Sequence, residues 1–196
     1  TSIGSCCAAR ASRLPRTPLV RSRHLASPIR TSAANRWLYG RTPRAVITSG
    51  HTIRDHVIER TGCPPAKVFP VPAGADTRLF HRNHDRARVR AELGIAPETF
   101  VVGMVAVLRS WKGHLVLLEA ASHAAAEIPR ARYLLAGEGP MRPAIEAAIR
   151  EKGLDERVTL LGHRDDVPRL VSAFDAIVLP SLKNEATSQV IPQGML

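Results

Sequence analysis

Short, mostly apolar segments alternate with longer segments of mixed polarity along most of the chain. In the second half the apolar segments include Phe100–Val107, Ala131–Ala136 and Ala176–Leu179, and each is followed within two residues by glycine, proline or a charged residue. Runs of this kind are typical of strands buried on both faces of a parallel sheet. Because segments of helical length separate them, the pattern predicts βαβ units and an α/β fold with Rossmann-like parallel sheets and flanking helices.

The alternation predicts the following elements. Strands are expected at Pro18–His24, Ala45–Ser49, Lys67–Val71, Phe100–Val107, Ala131–Ala136, Arg157–Leu161 and Ala176–Leu179. Helices are expected at Ile29–Tyr39, His51–Arg60, Asp85–Leu93, His114–Ile128, Met141–Lys152 and Asp166–Phe174, with a last helix near the end of the chain. We expect Trp37 and Leu38 on the apolar side of the first helix, and Ser49 as the cap of the second.

Two domains are predicted, with a turn-rich connection that begins at Pro70–Gly74. Such connections are typical of domain boundaries. We assign residues 1–72 to part of a first domain, residues 73–84 to a linker and residues 85–196 to a second domain truncated at its carboxyl end. Because the chain lacks an initial methionine and ends just after its last helix begins, we expect a fragment that is inactive alone.

Positive charge is concentrated in the first third of the chain. The net charge is +11, and residues 1–60 contain 11 arginines, no lysine and only two acidic residues. Such a region could bind nucleic acid, an anionic membrane surface or an acidic substrate, or could simply be a solvated face. No aromatic residue interleaves the arginines before Trp37, which argues against binding of single-stranded nucleic acid.

Several classes of chemistry lack support in the sequence. Cys6, Cys7 and Cys63 have neither metal-ligand spacing nor an evident disulfide pairing, which favours a reduced, cytoplasmic compartment. The longest apolar run, Phe100–Leu108, is too short to cross a bilayer. There is no HxxEH, CxxC or Ser-His-Asp arrangement for metal-dependent hydrolysis or acyl transfer. We therefore predict no metal site.

The end of the chain predicts a strand, a loop and the start of a helix. A proline is tolerated only in the first turn of a helix, so Pro192 places the helix start near Thr187 or Ser188. Either hydroxyl could cap it. The free N–H groups of such a helix would point into the crevice at the carboxyl end of a parallel strand, where phosphate-bearing ligands bind in open α/β sheets.

The segment from Asn184 to Gln193 resembles the Glu-x7-Glu signature of the family 4, or group 1, glycosyltransferases. The first glutamate of the signature matches Glu185, whereas Gln193 stands at the second position and Gly194 replaces the usual alanine. A glycine inside a helix costs roughly 0.5–1 kcal/mol relative to alanine, so this departure concerns helix stability more than chemistry. The resemblance implies a GT-B enzyme that transfers a sugar from a nucleoside-diphosphate sugar with retention, without a metal or cofactor.

The resemblance extends over nearly the whole chain. Pro18–His24 is similar to a strand of the acceptor-side domain, and Val71–Asp76 followed by Phe80 is similar to the family's linker, with Ala73 in place of asparagine. Residues 85–196 then correspond to the nucleotide-sugar domain.

Arg109 and Lys112 lie in a loop between a predicted strand and a predicted helix, followed by Gly113. An arginine fork and a lysine point charge together suit two phosphates. The resemblance implies that these residues hold the donor diphosphate and steady the leaving group. The alternative is an ordinary solvated loop.

Two further loops follow predicted strands. The resemblance implies that Gly137 permits close approach of the backbone to the donor, whereas Glu138 is equally explained as an acidic residue favoured at a helix start. His163 is implied to lie near the nucleotide base, or is simply exposed. Asp165 or Asp166 is better suited to capping the next helix than to binding a ligand.

His24 ends the first predicted strand, at a position where many family members carry a histidine that faces the donor. A retaining transfer without an enzyme nucleophile needs a hydrogen bond for the departing phosphate or the oxocarbenium-like sugar, which a neutral histidine can supply. The alternative is one more histidine in a basic surface. The resemblance also implies that Glu185 accepts hydrogen bonds from sugar hydroxyls and that Gln193 addresses the ribose.

The expected acceptor is a cell-envelope polysaccharide or a lipid-linked glycan. From charge alone, we expect a cytoplasmic protein with peripheral contact to an anionic membrane surface, and no nucleic-acid partner. Two alternatives stay open: an epimerase or hydrolase of the same fold, and a non-catalytic module that binds nucleotides or nucleic acid.

Overall fold

The computed structural model describes residues 18–25, 27–81, 84–183 and 188–196. Within these residues the chain forms two compact units that change over between Ala73 and Gly74. Each unit contains a parallel β-sheet with flanking helices, so the predicted α/β class with Rossmann-like sheets is confirmed. The functional roles assigned to the two domains stay predictions.

The first unit is built on three parallel strands in the order β1-β2-β3. These are β1 at Val20–Arg23, β2 at Ala45–Thr48 and β3 at Val68–Pro70, with a 3₁₀ turn at Pro65–Lys67 before β3. Val46 of β2 pairs in register with Val68 of β3. Both side chains are buried together with Val57 of helix α2 (His51–Thr61), because one face of a strand packs on a helix while the other faces away.

The first predicted helix is shorter than expected. Helix α1 spans Ala33–Arg36 and continues as a π-helical turn, Trp37–Arg41. Trp37 was expected on the apolar side of this helix but is 48% exposed, whereas Tyr39 is buried and Leu38 is half-buried against the core. A π turn has more residues per turn than an α-helix, so the side chain that faces the core differs from the one that α-helical periodicity predicts.

The predicted cap of helix α2 is wrong by one residue. Gly50 occupies the N-cap position and has no side chain to accept a hydrogen bond, while Ser49 lies one position too early. The helix ends at Thr61, and its C-cap residue Gly62 has a φ of 67°, in the left-handed region that favours glycine.

The second unit is built on four parallel strands in the order β6-β5-β4-β7. They span Phe100–Val105 (β4), Ala131–Ala136 (β5), Val158–Gly162 (β6) and Ala176–Ile177 (β7). Neighbouring residues of β5 belong to different clusters: Tyr133 and Leu135 pack on one face of the sheet, and Leu134 and Ala136 on the other. Burial on both faces agrees with the apolar pattern of this strand.

Helices cover both faces of this sheet. They span Arg86–Glu92 (α3), His114–His123 (α4), Arg142–Glu151 (α5) and Val167–Val171 (α6). Helix α4 does not reach Ile128, its predicted end. The residue before a proline is disfavoured in the α conformation, and Pro129 follows Ile128 directly.

The last helix, α7, spans Val190–Gly194 and therefore begins later than predicted. Its N-cap residue is Gln189, and no side chain of the described residues caps it, so the predicted cap at Ser188 is wrong. Pro192 is the third residue of the helix, inside the first turn as expected.

An ion pair between the buried Arg90 and the partly exposed Asp175 holds the amino-terminal edge of the second sheet. The Arg90 guanidinium donates to the Asp175 carboxylate at 2.5 Å, and the backbone N–H of Val101 donates to the same carboxylate at 2.7 Å. Burial raises the pKa of Asp175, but hydrogen bonds from Val101, Arg86 and Arg90 outweigh it, so the pKa lies below its ordinary value. The pair fixes helix α3 to the starts of β4 and β7.

Candidate functional site

Four loops leave the carboxyl edge of the second sheet, one after each strand. Taken in the spatial order of the strands, they carry His163 after β6, Gly137 after β5, and Arg109 with Lys112 after β4, followed by the loop from Val178 after β7. Carboxyl ends of parallel strands meet at one edge, which is where open α/β sheets bind ligands. The structure thus brings these four candidate residues of the second unit to the same edge.

Backbone hydrogen bonds join these loops into one framework. Between the loops after β4 and β5, the Leu108 N–H donates to the Glu138 carbonyl (3.0 Å), and the Met141 N–H donates to the Leu108 carbonyl (3.1 Å). Between the loops after β5 and β6, the Gly137 N–H donates to the Gly162 carbonyl at 2.7 Å. Because each loop is tied to its neighbour, the side chains between these bonds have a fixed backbone.

Two glycines permit this close approach. Gly137 has a φ of 143°, and a Cβ at this position would lie 2.0 Å from the carbonyl oxygen of Ala106. Gly113 has a φ of 79°, and its Cβ would lie 2.0 Å from the carbonyl oxygen of Pro180. Any other residue would clash with backbone atoms in a conformation that L side chains rarely adopt. The structure therefore explains the glycine at position 137 by loop packing.

Arg109 is an exposed residue that immediately precedes a 3₁₀ turn, Ser110–Lys112. Its guanidinium lies 5.5 Å from the centre of the Trp111 ring, a distance at which a cation interacts with an aromatic face. Within the described residues this guanidinium makes no hydrogen bond. Leu108, fully buried beside it, anchors the loop in the core. The cation is thus held near the sheet edge with its donors available.

Lys112 ends the same 3₁₀ turn and is half-buried. Its backbone N–H donates to the Arg109 carbonyl at 3.0 Å, so the two cations share one short turn. Two cations on one turn, followed directly by a glycine that adds no side chain, can bind the paired negative charges of a diphosphate.

The other two loops carry polar groups that are paired within the protein. Glu138 is bonded to Arg142 of helix α5 at 2.7 Å, and the exposed His163 ring lies 3.1 Å from the Asp165 carboxylate. Asp166 is the N-cap residue of α6, yet its side chain bonds to Arg164 instead of capping. The hydrogen bond from Arg164 is the main cause that lowers the pKa of Asp166.

His114 was missed by the sequence analysis. It is the first residue of helix α4, its side chain is 3% exposed, and its Nδ1 has no hydrogen-bond partner in the part of the chain that the structure describes. Burial is the main cause that lowers its pKa; the backbone carbonyl of Arg109 opposes this shift, and the charge of Lys112 adds to it. The available signal was its place at the start of the apolar stretch His114–Leu118.

The terminal segment is only partly described. Glu185 and Thr187 lie outside the described residues, and Ser188 is half-buried just before helix α7. Gln193 is also half-buried and lines a cavity of about 290 Å³. Arg109 and Gly137 are not among the residues that line this cavity. The contact of Gln193 with a ribose stays a prediction.

Gly194 has a packing explanation. A Cβ on Gly194 would lie 2.0 Å from Cδ1 of Ile177 in strand β7. The isoleucine side chain thus fills the space that an alanine would need. This contact accounts for the glycine without reference to a ligand.

In the first unit, His24 is exposed and follows strand β1 directly. The preceding residue, Arg23, lies 3.4 Å from the Tyr39 hydroxyl, to which it donates, and donates to the Ser27 carbonyl. Arg21 stacks on the Tyr39 ring at 4.0 Å. Part of the positive charge of this region is therefore engaged in local packing, and the catalytic role of His24 stays a prediction.

The described residues contain no group of three or more His, Cys, Asp or Glu side chains arranged to hold a metal ion. In the same residues, no helix is long and apolar enough to cross a membrane. The expectation of a reaction without a metal or cofactor stays a prediction.

Comparison with known proteins identifies a family. The family model described as glycosyl transferases group 1 matches residues 99–196, which is half of the chain and includes all four loops. Two curated relatives are a D-inositol 3-phosphate glycosyltransferase of Mycobacterium sp. (strain KMS), 33% identical over 135 residues, and an Escherichia coli enzyme, 30% identical over 122 residues. The second is named UDP-Gal:alpha-D-GlcNAc-diphosphoundecaprenol alpha-1,3-galactosyltransferase.

The alignments cover 65% and 60% of this chain but only 29% and 32% of the two relatives. Among solved structures, HepE of Anabaena in complex with UDP is 27% identical, with a TM-score of 0.82 over 98% of this chain and 54% of HepE. HepE has also been solved with UDP-glucose. The chain thus spans about a third of these curated relatives and about half of the solved one.

Proposed function

Because the chain belongs to the group 1 glycosyl transferases, we propose that it serves to transfer a sugar from a nucleoside-diphosphate sugar to an acceptor. HepE was solved with UDP and with UDP-glucose, and the E. coli relative is named for UDP-Gal. These names support a UDP-sugar as the donor. Retention of configuration, as in family 4, is part of the proposal.

The observation that carries the proposal is the arrangement at the carboxyl edge of the second sheet. Arg109 and Lys112 share one turn, and Gly137 lets the neighbouring backbone come close. Negative charge develops on the diphosphate as it leaves the sugar, and preorganised cations stabilise that charge in the transition state. A metal ion is then not needed for this task.

Each remaining candidate residue has a role in the proposal. His24 donates a hydrogen bond to the departing phosphate or the sugar, and Glu185 accepts hydrogen bonds from sugar hydroxyls. The side chain of Gln193 forms hydrogen bonds with the ribose, and His163 lies beside the base. Thr187 and Ser188 precede helix α7 and place its first N–H groups toward the phosphates.

For the acceptor, we propose a glycan carried on a lipid diphosphate or a growing cell-envelope polysaccharide. The support is the E. coli relative, whose name contains a diphosphoundecaprenol-linked sugar. The eleven arginines among residues 1–60 are suited to an anionic lipid surface. This contact places the protein at the cytoplasmic face of a membrane.

The test begins with the nucleotide. Calorimetric titration with UDP, GDP and ADP should show UDP binding. Because the chain is expected to be inactive alone, transfer is tested in the longer protein that contains it: incubation with UDP-glucose or UDP-galactose and a lipid-diphosphate-linked sugar should give a lengthened glycan by mass spectrometry. Free sugar or an epimerised nucleotide formed without acceptor would instead support the hydrolase or epimerase. Steeply salt-dependent binding to DNA or RNA, with no affinity for UDP, would support the non-catalytic module.

A further inference from the structure

A cavity of about 440 Å³ lies at the amino-terminal edge of the four-stranded sheet, opposite the four loops of the candidate donor site. The segments that lead into β4, β5 and β6 line it. Because these three strands are neighbours in the sheet, their starts meet at one place. The segments before and at the starts of β5 and β6 contribute three arginines to the lining: Arg130, Arg132 and Arg157.

Two of these arginines occupy neighbouring positions on adjacent strands. Tyr133 of β5 pairs in register with Val158 of β6, and the Tyr133 N–H donates to the Arg157 carbonyl at 2.7 Å. The residues that directly precede this pair, Arg132 and Arg157, therefore lie side by side. Like charges in such positions repel each other, and a bound anion would relieve the repulsion.

The guanidinium groups are held in place but keep donors for a ligand. Arg132 donates to the Glu156 carbonyl, and Arg157 donates to the Ile128 carbonyl at 3.3 Å. A guanidinium has five N–H donors, so a single bond to the backbone orients each group without saturating it. Arg130 is exposed and makes no hydrogen bond or ion pair within the described residues.

The acidic residues of the lining do not neutralise this cluster. Glu98 and Glu156 both line the cavity and are exposed. Neither carboxylate forms an ion pair with the three arginines in the part of the chain that the structure describes. Three arginines and two glutamates leave the lining with a net charge of +1, and the exposed carboxylates can turn toward solvent when an anion enters.

We propose that this cavity is a phosphate-binding site, separate from the candidate donor site at the other edge of the sheet. Arginine forks bind phosphate oxygens in a bidentate manner, and three of them line this one cavity. Its volume lies within the usual range of small-molecule sites, about 300–1,000 Å³, so the phosphate can belong to a larger molecule. The proposal does not rest on the proposed function.

The phosphate group has two possible sources, a soluble phosphorylated compound and a lipid headgroup. The lipid source is included because two large apolar side chains, those of Phe100 and Ile128, are each 42% exposed beside the cavity. Phe100 directly follows the lining residue Thr99, and Ile128 directly precedes the lining residue Pro129. Arginines next to exposed apolar side chains are suited to an anionic lipid surface.

The first experiment uses inorganic phosphate as the probe. The Arg109→Ala, Lys112→Ala double variant is the background, so that the candidate donor site does not contribute. Calorimetric titration at low ionic strength should detect phosphate binding in this background. Addition of Arg130→Gln or Arg132→Gln should weaken the binding about tenfold or more, as expected for the loss of a hydrogen bond to a charged group.

Arg150→Gln is the matched control. Arg150 is an exposed arginine of helix α5 that does not line the cavity, so its substitution should leave phosphate binding unchanged. Arg130→Gln should also leave the melting temperature without phosphate unchanged, because Arg130 has no partner among the described residues. A loss of binding in this variant is therefore not a loss of the fold.

Sedimentation with vesicles of phosphatidylglycerol and phosphatidylcholine separates the two sources. If headgroups are the source, Arg130→Gln and Ile128→Ser should each reduce attachment to these vesicles about fivefold, whereas Ile128→Ser should keep its affinity for inorganic phosphate. If the source is a soluble compound, both variants should attach as the background protein does. Only the phosphate titration of Arg130→Gln should then differ.

This proposal and the proposed function fail separately. If the parent does not bind UDP, but the background protein binds phosphate through Arg130 and Arg132, only the proposed function is wrong. If the parent binds UDP, and Arg130→Gln and Arg132→Gln match Arg150→Gln in both the titration and the sedimentation, the phosphate site at the amino-terminal edge is overturned.

Discussion

Arg90 and Arg109 lie at opposite edges of the same four-stranded sheet and are used in opposite ways. Arg90, 5% exposed, donates to the carbonyls of Ala173, Pro97 and Thr99 and to the Asp175 carboxylate. The exposed Arg109 guanidinium makes no hydrogen bond within the described residues and only stacks near Trp111.

The difference shows how one residue type serves two purposes. A buried guanidinium must have nearly all its donors satisfied, so Arg90 holds the amino-terminal edge together. An exposed guanidinium costs little to keep unpaired and keeps its donors for a ligand. Substitutions at the amino-terminal edge should therefore change stability, and substitutions at the carboxyl edge should change binding.

The largest effect is expected at the amino-terminal edge. Arg90→Met should lower the free energy of unfolding by about 3 kcal/mol, because it removes the donor of the Ala173, Pro97 and Thr99 carbonyls and one of the two arginines that pair with Asp175. This is the lower end of the usual range, since the Asp175 side chain is still 24% exposed. Urea denaturation measures the change.

Arg88→Met is the matched control on the same helix. Arg88 forms an exposed pair with Glu92, and such pairs contribute little. If both variants unfold at the same urea concentration, Arg90 does not pin the edge. If Arg90→Met does not fold, Asp175→Asn, which keeps a side-chain oxygen for the Val101 N–H, should show a smaller loss of the same sign.

The next effect is expected in ligand affinity. Arg109→Ala should weaken UDP binding by about 1.5–3 kcal/mol, the usual worth of hydrogen bonds to charged groups, with unfolding unchanged. Lys112→Ala should weaken binding by about the same amount. Calorimetric titration with UDP measures the change, and Arg88→Ala is the control arginine. If Arg109→Ala and Lys112→Ala both bind UDP within twofold of the parent affinity, the loop that carries them is an ordinary solvated loop.

A third substitution should affect both properties. Gly137→Ala should cost about 1–3 kcal/mol of stability from backbone strain, because its Cβ would meet the Ala106 carbonyl oxygen, and it should displace a loop needed for UDP. Gly153→Ala is the control: it also has a positive φ, of 63°, but open space around it. If Gly137→Ala and Gly153→Ala lose the same stability, the contact between the new Cβ at position 137 and the Ala106 carbonyl oxygen contributes nothing to the loss.

A smaller effect is expected from pH. The folded-state pKa of Asp175 lies below its ordinary value, so the ionised carboxylate stabilises the fold above that ordinary value. This stabilisation is lost as the pH falls through the folded-state pKa. The unfolding free energy should therefore change little between pH 7 and pH 5 on account of this group and fall at lower pH. The free energy of unfolding of Asp175→Asn should fall less steeply at low pH. If its pH dependence is identical to that of the parent, Asp175 is not the cause of the fall.

The smallest effect concerns Gly194. Gly194→Ala should be slightly destabilising in the parent because the new methyl group meets Cδ1 of Ile177. In an Ile177→Val background that carbon is absent, and alanine should then be favoured by up to about 0.5–1 kcal/mol through its helix preference. A double-mutant cycle by thermal unfolding measures the coupling. If the effects of Gly194→Ala and Ile177→Val on stability are additive, the contact with Ile177 is not the reason for a glycine at position 194.

Much of the fold could be predicted from the sequence, because a strand that is buried on both faces is encoded by a short run of consecutive apolar residues. Strand β5 was predicted over its full range, Ala131–Ala136. The Arg109–Gly113 loop was recognised because cations and a glycine follow an apolar strand in consecutive positions. These signals are contained in a few neighbouring residues, so no knowledge of distant contacts is needed to read them.

Other features depended on contacts between distant parts of the chain. The burial of His114 at the start of helix α4, and the ion pair between Arg90 and Asp175, leave no periodic pattern in the sequence. The same holds for Gly194, because the space that a Cβ would need at this position is filled by the side chain of Ile177. Hydrophobic periodicity reports which face of an element is buried, but only the packed tertiary structure determines which polar group that face meets.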